Sequence, residues 1–179
     1  MAISYAVLNS VLPSIIDAKF PILIRGRHGI GKSTIVYQIA QNMGLPVVER
    51  RASQMTEGDL LGLPKVENNV TQWLAPEWLH NACNNPVILF LDEVDRATME
   101  VRQGIFELCD SRKIAGYTLH EDTVIFACVN GGGDHGDQYQ VGEMDPAELD
   151  RYTVFDVTPT VEDWLSWADG NVNQVVWDF

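Results

Sequence analysis

The chain has 179 residues, the size of roughly one typical domain, with 46% hydrophobic and 21% charged residues. This balance excludes a disordered or low-complexity chain, and no apolar run approaches the ~20 residues that span a bilayer. Lys and Arg number 12 against 25 Asp and Glu, a formal net charge of −13. Such a surface argues against general attraction to nucleic acid or anionic membrane, although a local basic patch could persist.

The pattern along the chain alternates helix and strand. Apolar positions Val7, Leu8, Val11, Leu12, Ile15 and Ile16 form a helical stripe within residues 3–18, with Pro13 inside it. Residues 21–24 form a short buried strand ending in a glycine-rich stretch. Ile35, Ile39 and Met43 mark a helix over 32–43, stopped by Gly44. A second strand starts at residues 45–49, and short helices follow at 56–63 and 77–84. The run 87–91 does not alternate, so it predicts a third strand buried on both faces. A helix over 99–110 and a small hairpin at 113–119 around Gly116 follow. Strands at 124–129 and 152–157 complete the series. The βαβα order predicts an α/β fold: a mainly parallel sheet sandwiched by helices.

The chain therefore reads as a single domain over 1–179. An N-terminal helix occupies 1–20, a core 21–157, and 158–179 is the start of a truncated C-terminal segment. In that segment 161–168 is helical, Gly170 breaks it, and an apolar-periodic stretch runs on to Trp177 and Phe179. The expectation is a fragment lacking a C-terminal piece. Cys83, Cys109 and Cys128 are far apart and suggest buried thiols rather than a disulfide or zinc site. The N-terminus lacks the basic region and apolar run of a signal peptide, which points to a cytoplasmic protein.

The chemistry is carried by Gly26-Arg27-His28-Gly29-Ile30-Gly31-Lys32-Ser33, which fits GxxxxGK(S/T) and continues into Thr34. Glycines let successive N–H groups turn toward phosphate oxygens, Lys32 reaches the β/γ-phosphates, and Ser33 ligates Mg²⁺. The following helix adds the positive end of its dipole. His28 stands at a variable position and reads as a solvent-facing filler. The third strand ends in Asp92-Glu93. Beside a phosphate loop, Asp92 is the candidate Mg²⁺ ligand and Glu93 the candidate general base. Two carboxylates after an apolar run could also be a strand surfacing, but the loop upstream favours the chemical reading. The absence of NKxD argues against a GTPase, the absence of an LSGGQ-like signature argues against a transporter ATPase, and a small kinase would not ordinarily need the Asp-Glu pair.

The chain resembles the AAA+ superfamily of phosphate-loop NTPases, and within it the MoxR-type branch. The resemblance rests on Thr56-Glu-Gly-Asp59-Leu-Leu-Gly62, Trp73-Leu-Ala-Pro76, Leu91-Asp-Glu-Val-Asp-Arg-Ala97, Val129-Asn130 and Met144-Asp-Pro-Ala-Glu-Leu-Asp-Arg151-Tyr152. It implies a sheet order of 5-1-4-3-2 and ATP with Mg²⁺ as ligands. It also implies that Asn130 is sensor 1, a polar group at the attacking water or γ-phosphate, although the residue alone reads as a turn asparagine. Arg151 would be an arginine finger acting in a neighbouring subunit; alone it reads as a surface partner of Asp145 or Glu148. Arg96 and Arg112 are weaker candidates between subunits. A finger supplied in trans requires a homo-oligomer, by resemblance a hexameric ring.

Two features depart from the family. The 28 residues after Arg151 are too few for the helical lid and contain no basic residue. Residues 131–143 form a polar, glycine-rich insert, in which His135 with Asp134 and Asp137 suggests loop solvation more than a metal. The resulting expectation is an ATPase that remodels or assembles a protein client, with the hairpin at 113–119 as a moving part. A nucleic-acid motor or loader, or a nucleotide-binding assembly module with little hydrolysis, are the alternatives.

Overall fold

The computed structural model describes residues 2–131, 144–169 and 171–173. The expected stretch at 132–143, including Asp134, His135 and Asp137, and the expected break at Gly170 lie outside the described residues. So does the apolar segment from 174 to 179. In chain order the elements are α1 (Tyr5–Asp17), β1 (Ile22–Arg25), α2 (Lys32–Met43), β2 (Val47–Arg51), α3 (Glu57–Leu61), β3 (Leu63–Glu67), β4 (Val70–Leu74) and α4 (Glu77–Asn84). They continue with β5 (Ile88–Asp92), α5 (Met99–Ser111), β6 (Lys113–Ile114), β7 (Tyr117–Thr118), β8 (Val124–Val129), α6 (Pro146–Leu149), β9 (Thr153–Asp156) and α7 (Val161–Ala168).

The helix ends follow from local chemistry. Ser4 caps α1 by accepting from the Val7 N–H, and Thr98 does the same for α5 toward Val101. Thr56 with Asp59, Asp145 with Glu148, and Thr160 with Asp163 form reciprocal capping boxes on α3, α6 and α7. α2 stops where Gly44 takes a left-handed φ of 66°, as its position in the sequence predicts.

Five strands form one sheet in the order β2-β5-β8-β1-β9, with every pairing parallel. Counting only these five along the chain, the order is 5-1-4-3-2, as the resemblance implies. The alternation of side chains divides the core between the two faces. Leu23, Leu89, Leu91, Ile125, Ala127 and Val129 face α4 and α5. Ile22, Ile24, Ile88, Phe90, Phe126 and Cys128 face α1 and α2. β5 and β8 are buried along both faces, which explains their unbroken apolar sequence.

The structure differs from the sequence reading most clearly at residues 62–74. The short helix expected to run to residue 63 ends at Leu61, because Gly62 has a φ of 92° and Pro64 cannot continue a helix. An antiparallel hairpin of β3 and β4 follows, turning through Asn68 and Asn69, both with positive φ. Its apolar residues Leu63, Val66, Val70 and Leu74 are exposed. The hairpin expected at 113–119 is present as β6 and β7. The Tyr117 hydroxyl joins the two hairpins, donating to the Trp73 carbonyl at 2.7 Å and accepting from the Ala75 N–H at 3.3 Å. Cys109 and Cys128 are buried thiols, whereas Cys83 is only half-buried. Among the described residues no helix is long and apolar enough to cross a membrane.

Candidate active site

The phosphate loop leaves the C-terminal end of β1, which lies between β8 and β9. Ligands in open α/β sheets bind at this edge. Two of its glycines, Gly29 and Gly31, take positive φ of 75° and 94°, which L side chains rarely adopt. Gly31 is the N-cap of α2 and provides no side-chain cap, so the first N–H groups of a three-turn helix keep their donors for a ligand. Gly26 is confined for another reason. A Cβ there would lie 2.6 Å from Ile30 Cδ1 and 2.7 Å from the Val157 carbonyl oxygen. Tyr5 of α1 braces the loop by donating its hydroxyl to the Ile30 carbonyl at 3.0 Å.

Lys32 is buried, and its ammonium is fully occupied. Nζ donates to the carbonyls of Gly26 at 2.9 Å and Arg27 at 2.8 Å, and to Asn130 Oδ1 at 2.7 Å. Burial lowers its pKa, while Cys128, Asp92, Asp95 and Glu93 act on it from nearby. Asp92 ends β5 beside Leu91, and burial raises its pKa, partly offset by the Glu93 N–H donating to Oδ1 at 2.9 Å. Glu93 has a φ of 55°, a strained conformation for a non-glycine residue. Its carboxylate accepts from the Ser53 hydroxyl. Ser33 is half-buried at the start of α2, Thr34 is exposed, and Arg27 and His28 lie on the exposed rim of the loop.

These donors fit a nucleotide phosphate with a hard cation. The uncapped helix start, a buried lysine and an acid at the end of β5, one strand beyond β8, are all present. Among the described residues no cluster of three His, Cys, Asp or Glu could hold a metal by itself. A Mg²⁺ here would draw its remaining ligands from phosphate and water, the usual arrangement for this ion.

The structure thus brings Lys32, Asp92, Glu93 and Asn130 together. Arg151 is elsewhere. It precedes β9, whose Thr153 pairs with Ile22 at the start of β1, whereas the loop follows Arg25, which pairs with Asp156. At ~3.3 Å per strand residue, Arg151 lies at least ~10 Å from its own loop along the sheet. Its expected partners, Asp145 and Glu148, are not the ones found. Nε is 2.8 Å from Asp110 Oδ1, without the alignment of a hydrogen bond, and the guanidinium sits 4.6 Å from the Phe106 ring centroid. Glu148 instead pairs with the buried Arg102. Arg112 is also committed locally, as the left-handed C-cap of α5 with its guanidinium on the carbonyls of His120 and Thr123. Sequence reasoning missed Ser53, for which no local signal exists, and Asp95, which was visible in the Asp-Glu-Val-Asp run.

A family model described as the AAA domain of the dynein-related subfamily matches residues 21–151. The chain belongs to that family. Midasin of Giardia intestinalis is 34% identical over 94 residues, covering 52% of this AAA-domain chain and 2% of midasin. CbbQ of Hydrogenophilus thermoluteolus is 31% identical over 97 residues, covering 54% of the chain and 36% of CbbQ. The chain therefore spans only a minor part of both relatives. Among solved structures, the AAA-domain chain superposes on Hsp104, determined with ATPγS and casein, with a TM-score of 0.65 at 17% identity over 97% of the chain and 36% of Hsp104. A putative ATPase of Cytophaga hutchinsonii gives 0.64 at 18% identity, over 96% and 52% of the two chains. The Thermotoga maritima RuvB branch-migration motor gives 0.60 at 15% identity, over 92% and 49%. At these identities the likeness is one of fold.

Proposed function

We propose that this AAA-domain chain is a Mg²⁺-dependent ATPase of MoxR type whose site is completed between subunits and whose turnover remodels or assembles a protein client. The observation that carries this reading is the bond from Lys32 Nζ to Asn130 Oδ1, with Glu93 in the left-handed turn after β5 acting electrostatically on the lysine. The start of α2 and the ends of β8 and β5 thereby supply a cation, an amide and a carboxylate.

In this reading the N–H groups of the loop and of the α2 start bind the phosphates of ATP, and Lys32 binds between β and γ. Ser33 and Asp92 would hold Mg²⁺, which supplies positive charge that neutralises the phosphate oxygens. Glu93 accepts a proton from the attacking water, and the Ser53 hydroxyl sets the direction of its carboxylate. Asn130 orients the water or the γ-phosphate. Arg151 serves a neighbouring subunit, because the β9 edge keeps it from its own loop, and a hexameric ring is the arrangement we favour. The charge of −13 favours a protein client over nucleic acid.

The test is phosphate release from Mg²⁺-ATP over a wide range of protein concentration, with Glu93→Gln as control. A rate per subunit that rises with concentration and disappears in the variant is expected. Nucleotide binding without turnover at any concentration would leave a binding module in place of an enzyme.

A further inference from the structure

The turn after β5 contains a buried carboxylate to which the mechanism above assigns no role. Asp95 is 4% exposed and sits in the short 3-10 turn Val94–Arg96. Its Oδ2 accepts from the backbone N–H of Asn130 at 2.9 Å, and its Oδ1 has no hydrogen-bond partner among the described residues. Burial is costly for such a group and here raises its pKa. A residue placed there at that cost calls for a reason.

The strand register supplies one. β5 and β8 pair from Ile88↔Val124 to Leu91↔Ala127. Beyond that point the chain after Asp92 turns away through the left-handed Glu93, while β8 runs on to Val129. The Asn130 N–H has thus passed the end of the β5–β8 ladder and needs another acceptor. Asp95 provides it, tying the turn that carries Glu93 to the residue whose side chain receives Lys32.

We infer that Asp95 is a positioning residue, a staple between the ends of β5 and β8 that fixes the turn carrying Glu93 relative to Asn130, the residue that receives Lys32. The inference rests on the ATPase reading of this site. It separates two properties of the side chain. The acceptor oxygen matters, and the negative charge does not.

The test compares Asp95→Asn, Asp95→Leu and Glu93→Gln in the full chain, by amide hydrogen exchange and by steady-state kinetics. Asparagine keeps an oxygen for the Asn130 N–H, removes the charge and sets an amide NH2 in place of the unpartnered Oδ1, a near-isosteric change that keeps the fold. Asp95→Asn should retain both protection of that amide and turnover within about threefold. Asp95→Leu should speed exchange at Asn130 at least ~10-fold while the β8 amides stay protected. It should also lower kcat at least ~10-fold with KM for ATP changed by less than about threefold. A merely structural carboxylate would not give this split, nor recovery by asparagine. Asp95→Asn as impaired as Asp95→Leu would overturn the inference. So would full turnover in Asp95→Leu beside an inactive Glu93→Gln. Full turnover in Glu93→Gln marks failure of the ATPase reading itself, and the role of Asp95 falls with it.

Discussion

Lys32 donates to Asn130 Oδ1 at 2.7 Å, joining the first turn of α2 to the residue that follows β8 across 98 positions of sequence. The lysine is also held by two carbonyls of its own loop, so its three donors are all engaged at the mouth of the loop and one of them exchanges onto a phosphate oxygen on binding. Lys32→Ala removes that charge from a site otherwise dominated by carboxylates. Nucleotide affinity measured by calorimetry should fall at least ~10-fold, about 1.4 kcal/mol or more.

Arg151 rests on Phe106 and beside Asp110 of α5, at the edge of the sheet remote from its own loop. Arg151→Ala should leave nucleotide affinity within about threefold and lower kcat ~10³-fold or more, the scale of finger residues. Mixing this variant with Glu93→Gln separates action in trans from action in cis. Partial recovery of turnover in the mixture, where intact Arg151 and intact Glu93 meet at one interface, is the expected result. No recovery at any ratio counts against a shared site.

Arg25 and Asp156 face each other at the ends of β1 and β9, directly below the loop, with Arg25 Nη2 2.9 Å from Asp156 Oδ2. The hydrogen-bonded guanidinium lowers the carboxyl pKa below its ordinary 3.8. A depressed acid stabilises the fold fully above its unfolded value and loses that contribution as pH falls through the lower folded value. Urea unfolding of Asp156→Asn below pH 4 should therefore show a flatter decline with acid than the parent.

Gly26 has no room for a methyl group between Ile30 and the Val157 carbonyl. Gly26→Ala should cost about 1–3 kcal/mol of stability, read from the urea midpoint, because backbone has to move. A loss below ~0.5 kcal/mol would show that the loop yields more easily than its packing indicates.

Tyr117 links the β6–β7 hairpin to the β3–β4 hairpin through the Trp73 carbonyl and the Ala75 N–H. Tyr117→Phe removes both bonds at a cost of about 1 kcal/mol. Hydrogen exchange should rise at Ala75 and across β4, with the sheet amides unchanged. Uniform protection in the variant would show that the hairpins are held by other contacts.

Much of this protein is legible in the chain alone. The spacing of Gly26, Gly31, Lys32 and Ser33 encodes a loop whose backbone must turn inward, because glycine φ freedom and a helix start are local properties. The unbroken runs at β5 and β8 encode central strands, since both faces of a middle strand meet helices. Asp92 and Glu93 were readable as a strand end for the same reason. The β3–β4 hairpin was harder to read, although its Asn68-Asn69 turn is a local signal, because apolar residues are exposed along both its strands and blur the alternation that marks a half-buried strand. Tertiary structure alone decided which partners Arg151, Ser53 and Asp95 meet. Those contacts join residues 35 to 45 positions apart, and they arise only when parallel strands align their ends. No local propensity records that alignment; it is set by the order in which β2, β5, β8, β1 and β9 close the sheet.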